Sequence, residues 1–160
     1  MARRRSFEDM NCSIARSLDV IGEWWTLLIV REAFRGVRRF DVFADRLGIA
    51  SNILTARLRR LVEHDVLAER VYQERPLRVE YRLTPKGREL FPVLLALLQW
   101  GDRWYAQDGP PVALEHIPCG HRTRAVMVCD HCGERIDARQ TRALPGRGAA
   151  EDAPSLVPSA

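Results

Sequence analysis

The sequence is defined first by what it lacks. No stretch of its 160 residues supplies the run of about 18 apolar residues that a membrane-spanning helix needs, and even Leu90 to Trp104 is interrupted by Pro92 and Gln99. There is no glycine-rich nucleotide loop, no pair of carboxylates in an apolar frame and no serine nucleophile motif, so the usual supports for an enzyme are missing. No internal repeat is present. Met1 to Ser6 is basic, but Glu8 and Asp9 stand where a signal peptide needs its apolar stretch, and the expectation is a cytoplasmic protein. Cysteines are few, four in all, and Cys129 and Cys132 are close neighbours in a chain expected to be cytosolic. That placement favours reduced thiols or metal binding over structural disulfides.

What is present is an amphipathic chain, 46% apolar, with a formal net charge of +4. The size suits one domain with an appendage, and the basic balance suits a nucleic-acid surface. Asp19 to Phe34 places Ile21, Trp25, Leu28 and Ile29 at helical spacing, with Asp19 near its start and Gly36 beyond its end. Arg39 to Leu47 repeats the pattern with Phe40, Phe43 and Leu47 and stops at Gly48. A third helix is expected from Ser51 to His64, with Ser51 as its N-cap. Leu54, Leu58, Leu61 and Val62 fall on its inner face and Asn52, Ala56, Arg59, Arg60 and Glu63 on its outer one.

From Leu67 to Gln73 and from Arg78 to Leu83 the period shortens towards two, which predicts a hairpin with Pro76 at its tip. Thr84 is expected to cap a helix opening on Pro85, running to about Tyr105 and kinked at Pro92. Leu90, Val93, Leu94, Leu97, Leu98, Trp100 and Trp104 give it more apolar surface than one core contact uses, which points to a partner. The expected organisation is a basic arm at 1–11, a folded domain at 12–106 and a linker at 107–115. A Cys/His-containing hairpin at 116–139 and a disordered tail at 140–160 complete it.

Helix, glycine turn, capped helix and basic-tipped hairpin, in that order, make a winged helix-turn-helix: mainly α with a small β-hairpin wing, an α+β fold. In such a fold the second helix lays small and polar residues against base edges. Ser51, Asn52, Thr55 and Arg59 fit that role, since Asn pairs with adenine, Arg with guanine, and the Thr methyl meets thymine. Arg60 with Arg38 or Arg39 would bind phosphate at the groove edge, and Arg75 and Arg78 would do so from the wing. Taken singly, each of these arginines is more often the solvated side of a helix. Arg57 projects beside the core face and is expected to pair with a neighbouring helix.

Several separated segments carry a family likeness. Cys12-Ser-Ile-Ala-Arg-Ser-Leu-Asp-Val-Ile-Gly-Glu-Trp-Trp-Thr-Leu-Leu-Ile-Val-Arg-Glu, Arg39-Phe40, Leu54-Thr-Ala-Arg-Leu-Arg-Arg-Leu61 and Val79-Glu-Tyr-Arg-Leu-Thr-Pro-Lys-Gly87 resemble the HxlR-type bacterial regulators over about Cys12 to Gly101. Ser13 departs from the proline usual there, and Ala50-Ser51-Asn52 varies the start of the reading helix. The resemblance implies a transcriptional regulator, a homodimer paired through its terminal helices, binding a palindromic operator in double-stranded DNA. It also implies a role for Cys12, because members use the cysteine at that position to sense oxidants or electrophiles. A thiol before a helix starting near Ile14, with Arg16 a turn away, has the surroundings for that chemistry, while the plainer reading is a buried, inert cysteine.

The tail carries a second cluster. Cys119, His121, Cys129 and Cys132 are most simply read as four ligands of a structural zinc, with His116 or His131 competing for the fourth place. A hairpin with free thiols and a reversible disulfide are the other readings. The cluster is also what an enzyme reading would have to rest on. A third class, an adaptor whose tail binds protein, shares the same residues.

Overall fold

In the computed structural model, which describes residues 6, 7 and 9–149, the apolar run from Asp19 to Phe34 is cut in two. Helix α1 spans Ser13–Ile21 and α2 spans Trp24–Phe34, with Gly22 and Glu23 between them. A Cβ at Gly22 would lie 2.4 Å from the Leu18 carbonyl oxygen, so only glycine fits where the chain leaves α1. Asp19 therefore ends a helix instead of starting one. Its carboxylate is buried and accepts the backbone N–H of Phe7 at 2.7 Å.

Helix α3 (Phe40–Leu47) and helix α4 (Ser51–Glu63) follow as expected, joined by Gly48 in the left-handed region at φ 60°. Ala50, not Ser51, takes the N-cap position of α4, and no side chain caps that helix. Ala50 is extended, at φ −62° and ψ 137°, so the helical turn already includes Ser51 and the residue before it holds the cap position. Strands β1 (Leu67–Gln73) and β2 (Arg78–Leu83) pair antiparallel from Leu67↔Leu83 to Gln73↔Arg78, with a bulge between Val71 and Gln73. Pro76 sits at the tip, after a cis Arg75–Pro76 bond.

Thr84 caps α5 (Pro85–Arg88) by accepting the Gly87 N–H at 3.0 Å, while its hydroxyl donates to the Asp65 carbonyl at 2.6 Å. The expected single helix to Tyr105 is broken after α5, and α6 spans Phe91–Tyr105. Pro92 thus causes no kink. It occupies the first turn of α6, where its missing N–H has no intrahelical role.

The core of this region is built on α2 and α4. Ile29 and Val30 from α2, Phe43 from α3, Leu54, Leu58 and Leu61 from α4, and Val66 and Leu67 at the start of the wing are all buried in one cluster. By backbone contacts the described residues divide into two compact units between Leu98 and Gln99, within α6. In the second unit β3 (Leu114–His116) pairs with β4 (His121–Thr123), and an isolated bridge joins Val128 to Arg135. The strand thus begins inside the segment expected to be a linker, and Val128 alone of residues 125–128 forms a bridge. Residues 138–140 form a single 3-10 turn. Most of the basic arm, and the tail beyond 149, lie outside the described residues.

One charge is buried with this core. Glu32 in α2 is 2% exposed, and its carboxylate receives Arg31 at 2.8 Å, Arg35 at 3.1 Å and Arg46 of α3 at 3.4 Å. Burial by itself raises the carboxyl, but the hydrogen bonds and charges of these arginines outweigh it and hold Glu32 below the usual carboxylate range. Its stabilisation is therefore complete above the unfolded value of about 4.3 and is lost as pH falls through the folded one. Glu32→Gln should cost about 1.5–3 kcal/mol in urea unfolding at pH 7. That deficit should shrink as the pH is lowered through the carboxylate range; a deficit constant with pH would contradict the ion cluster as its source.

Candidate nucleic-acid interface

With its leucines buried, α4 turns Ser51, Asn52, Thr55, Ala56 and Arg59 to solvent. Their spacing of three and four residues puts them along one face. The Thr55 hydroxyl donates to the Ser51 carbonyl at 2.8 Å, so its hydrogen is used within the helix and its methyl and oxygen lone pairs are what it offers outward. Because no side chain caps α4, its first-turn amides add a positive end to the same edge.

The arginines on this surface divide by what already holds them. Arg59 is 79% exposed and reaches Glu63 at 2.8 Å, an i,i+4 surface pair worth about 0.3–0.5 kcal/mol, weak enough to yield to a phosphate or base. Arg60 is different. Its Nε donates to the Asp19 carbonyl at 3.0 Å and its Nη2 donates to the same oxygen, so Arg60 ties α4 to the end of α1. The expectation that it binds phosphate is corrected here, since one position along the helix turns the side chain by about 100°, inward from the exposed edge. Arg57 pairs with Glu23 at 2.9 Å, in line with its expected helix partner.

Arg38 and Arg39 are exposed between α2 and α3, and the Arg39 guanidinium stacks 4.8 Å from the Tyr72 ring of β1. This contact fixes the wing beside α3. The Tyr81 N–H donates to the Arg38 carbonyl at 2.7 Å and adds a second tie. Burial raises the Tyr81 phenol, and the Glu69 carboxylate adds to the effect, so it stays protonated. An open cleft of about 360 Å³ beside these residues is rimmed by Arg35, Arg38, Arg39, Arg46 and Glu80. Arg75 and Arg78 are both exposed at the end of the wing.

The groups that sort these arginines, the Asp19 carbonyl and the Glu23 and Glu32 carboxylates, were not anticipated as structural partners. Their signal was a charged residue inside an otherwise apolar run, most clearly Glu32 just after Ile29 and Val30.

Cys12 is half-buried and is the N-cap residue of α1, with no capping bond from its side chain. Arg16 donates instead to the Met10 carbonyl at 3.2 Å. In the second unit the His116 Nδ1 lies 3.2 Å from the Cys119 sulfur, while His121 Nδ1 lies 2.6 Å from the Cys119 carbonyl oxygen. The Cys129 thiol is lowered first by the backbone N–H of Cys132, then by that of His131, and then by the Cys132 side chain. All four cysteines are free, and among the described residues no three His, Cys, Asp or Glu side chains gather closely enough to hold a metal.

The site is thus a leucine-anchored helix behind a glycine turn with a basic wing beside it. The family model of the HxlR-like helix-turn-helix matches residues 20–109. The chain belongs to the HxlR-like helix-turn-helix family. It is 47% identical over 137 residues to an uncharacterised HTH-type transcriptional regulator of Mycobacterium tuberculosis, covering 85% of this chain and 87% of that one. Among solved structures, PA1607, described as a candidate transcription factor, superposes with a TM-score of 0.79 at 44% identity, over 89% of this chain and all of that one. The redox regulator HypR in its reduced form matches with a TM-score of 0.52 at 33% identity, over 61% of this chain and 99% of its own. This HxlR-family chain is a DNA-binding helix-turn-helix transcriptional regulator. No helix among its described residues is long and apolar enough to cross a membrane.

Arg59 and Arg60 make the division of labour measurable. Arg60→Ala should destabilise the fold by about 1.5–3 kcal/mol through loss of a charge-assisted hydrogen bond. Arg59→Ala should stay within about 0.5 kcal/mol of the parent. Chemical unfolding of both variants decides it, and equal stabilities would remove the tie to Asp19 as a structural contact.

Proposed function

We propose that this regulator binds a palindromic operator as a homodimer, reading bases with Ser51, Asn52, Thr55 and Arg59. The observation that carries this reading is the exposed face of α4, presented by a helix whose opposite edge is wholly buried. Arg38 and Arg39 contact phosphate beside it, and Arg75 and Arg78 reach phosphate or the adjacent minor groove from the wing. These contacts set orientation and salt dependence, while the α4 residues carry sequence preference. Operation on DNA places the protein in the cytoplasm, associated with the nucleoid.

The dimer is supported by unmet apolar surface. No residue of α6 is fully buried, and Phe91, Val93, Leu97, Trp100 and Trp104 are all exposed. On α1, Ile14 and Leu18 lie one turn apart and are also exposed. A two-fold pairing of such helices covers them and presents two reading helices to the two half-sites.

Selection from random DNA is expected to recover a palindrome. Asn52→Ala should then cost about 1–3 kcal/mol of affinity at its own base position, and Arg75→Ala should lower the salt slope by about one. Selected DNA bound no better than random DNA would defeat the reading, and so would a protein that sediments as a monomer on its operator.

A regulatory reading follows from the likeness to HypR together with the placement of Cys12. The Cys12 thiolate attacks hydrogen peroxide and breaks the O–O bond, keeping one oxygen as sulfenic acid and expelling the other as hydroxide, which takes a proton from solvent to become water. Oxidation at the start of α1 then alters the dimer and frees the DNA. Mild peroxide should weaken operator binding of the parent protein and leave Cys12→Ser unchanged; an equal loss in both would remove Cys12 from this role.

A further inference from the structure

The segment after α6 builds the same turn twice. Leu114–His116 and His121–Thr123 form one hairpin, and Val128 and Arg135 bridge the base of another. In the first, the Gly120 N–H donates to the His116 carbonyl at 2.8 Å; in the second, the Gly133 N–H donates to the Cys129 carbonyl at 2.9 Å. Both glycines are left-handed, at φ 68° and 74°. Superimposed by these bonds, His116 corresponds to Cys129, Cys119 to Cys132, Gly120 to Gly133 and His121 to Glu134. In the first turn the side chains follow the backbone, with His116 Nδ1 3.2 Å from the Cys119 sulfur.

We propose that these two clips, whose side chains form no three-ligand group by themselves among the described residues, draw together on one zinc ion, with His116, Cys119, Cys129 and Cys132 as its four ligands. A Cys₃His set fills the tetrahedral positions of a structural zinc and leaves none open for catalysis. His121, the ligand expected from spacing alone, falls at the position of Glu134, one residue beyond the glycine, and its Nδ1 is engaged with the Cys119 carbonyl.

The energetic need for such a staple is plain in the burial. Ile117 is 88% exposed, Met127 63%, Val126 55% and Ile136 52%, so the segment has almost no apolar core of its own. Short hairpins of this kind are marginal in water without further support. Joining the two clips supplies it, with folding free energy drawn from metal binding.

The full-length chain, purified without chelator under reducing conditions and then exposed to zinc chloride, is expected to retain one zinc per chain by elemental analysis. His116→Ala, Cys119→Ser and Cys129→Ser should each lose it. His121→Ala should keep it, and His116→Cys should keep it as a Cys₄ site. Cobalt substitution gives an independent readout, since tetrahedral thiolate coordination produces intense visible absorption that should vanish in the same variants. Far-UV circular dichroism checks that each variant retains its helices. Absence of bound zinc in the parent protein overturns the site. Loss of zinc in His121→Ala with retention in His116→Ala overturns the ligand assignment.

Discussion

The position of α4 depends on the burial of Leu54, Leu58 and Leu61, each at 0% exposure. They meet Ile29 and Val30 of α2, Phe43 of α3 and the first residues of the wing in one cluster. A helix that must leave a whole face open to DNA can be held only from its other side. Deleting one such leucine would typically cost about 2–5 kcal/mol, a large share of the stability of a domain this size. The exposed face of α4 is thus held in place by residues that form no part of it.

Around that apolar anchor, two carboxylates and a carbonyl decide which arginines remain available. Glu32 gathers Arg31, Arg35 and Arg46, Glu23 takes Arg57, and the Asp19 carbonyl takes Arg60. Arg59 has only an exposed glutamate. Local electrostatics thus sort one class of side chain into ties that set the helices and cations left free at the surface. Net charge alone could not make that distinction, since both groups contribute to it equally.

Much of this was legible in the sequence because the period of the apolar residues is a direct image of burial. The helices on either side of Gly48, the limits of the hairpin and the Thr84 cap follow from spacing and turn chemistry. The division at Gly22 was hidden because apolar spacing continues across it, and the close approach of Gly22 to the Leu18 carbonyl one turn earlier leaves no mark on that spacing. Pro92 was misread for a related reason. A proline is disruptive in the middle of a helix and harmless in its first turn, and the interruption before Phe91 decides which applies. Arg60 and Arg59 differ by one residue at the margin of the polar face, where a helical wheel has least power to discriminate.

The choice between His116 and His121 shows the same limit from another side. Counting residues from Cys119 finds His121 closer in sequence, yet two residues across a hairpin from one another face different surroundings. Once the turn is folded, the comparable atom to the first sulfur of the second clip belongs to His116, because hydrogen bonds set the register and proximity in sequence does not. A ligand set is a property of turn geometry, and the repeated glycine is its visible mark. By contrast, the face of α4 follows a regular helical repeat, so its members could be named before their positions were seen. The certainty with which a functional residue can be read thus tracks the regularity of the backbone that carries it.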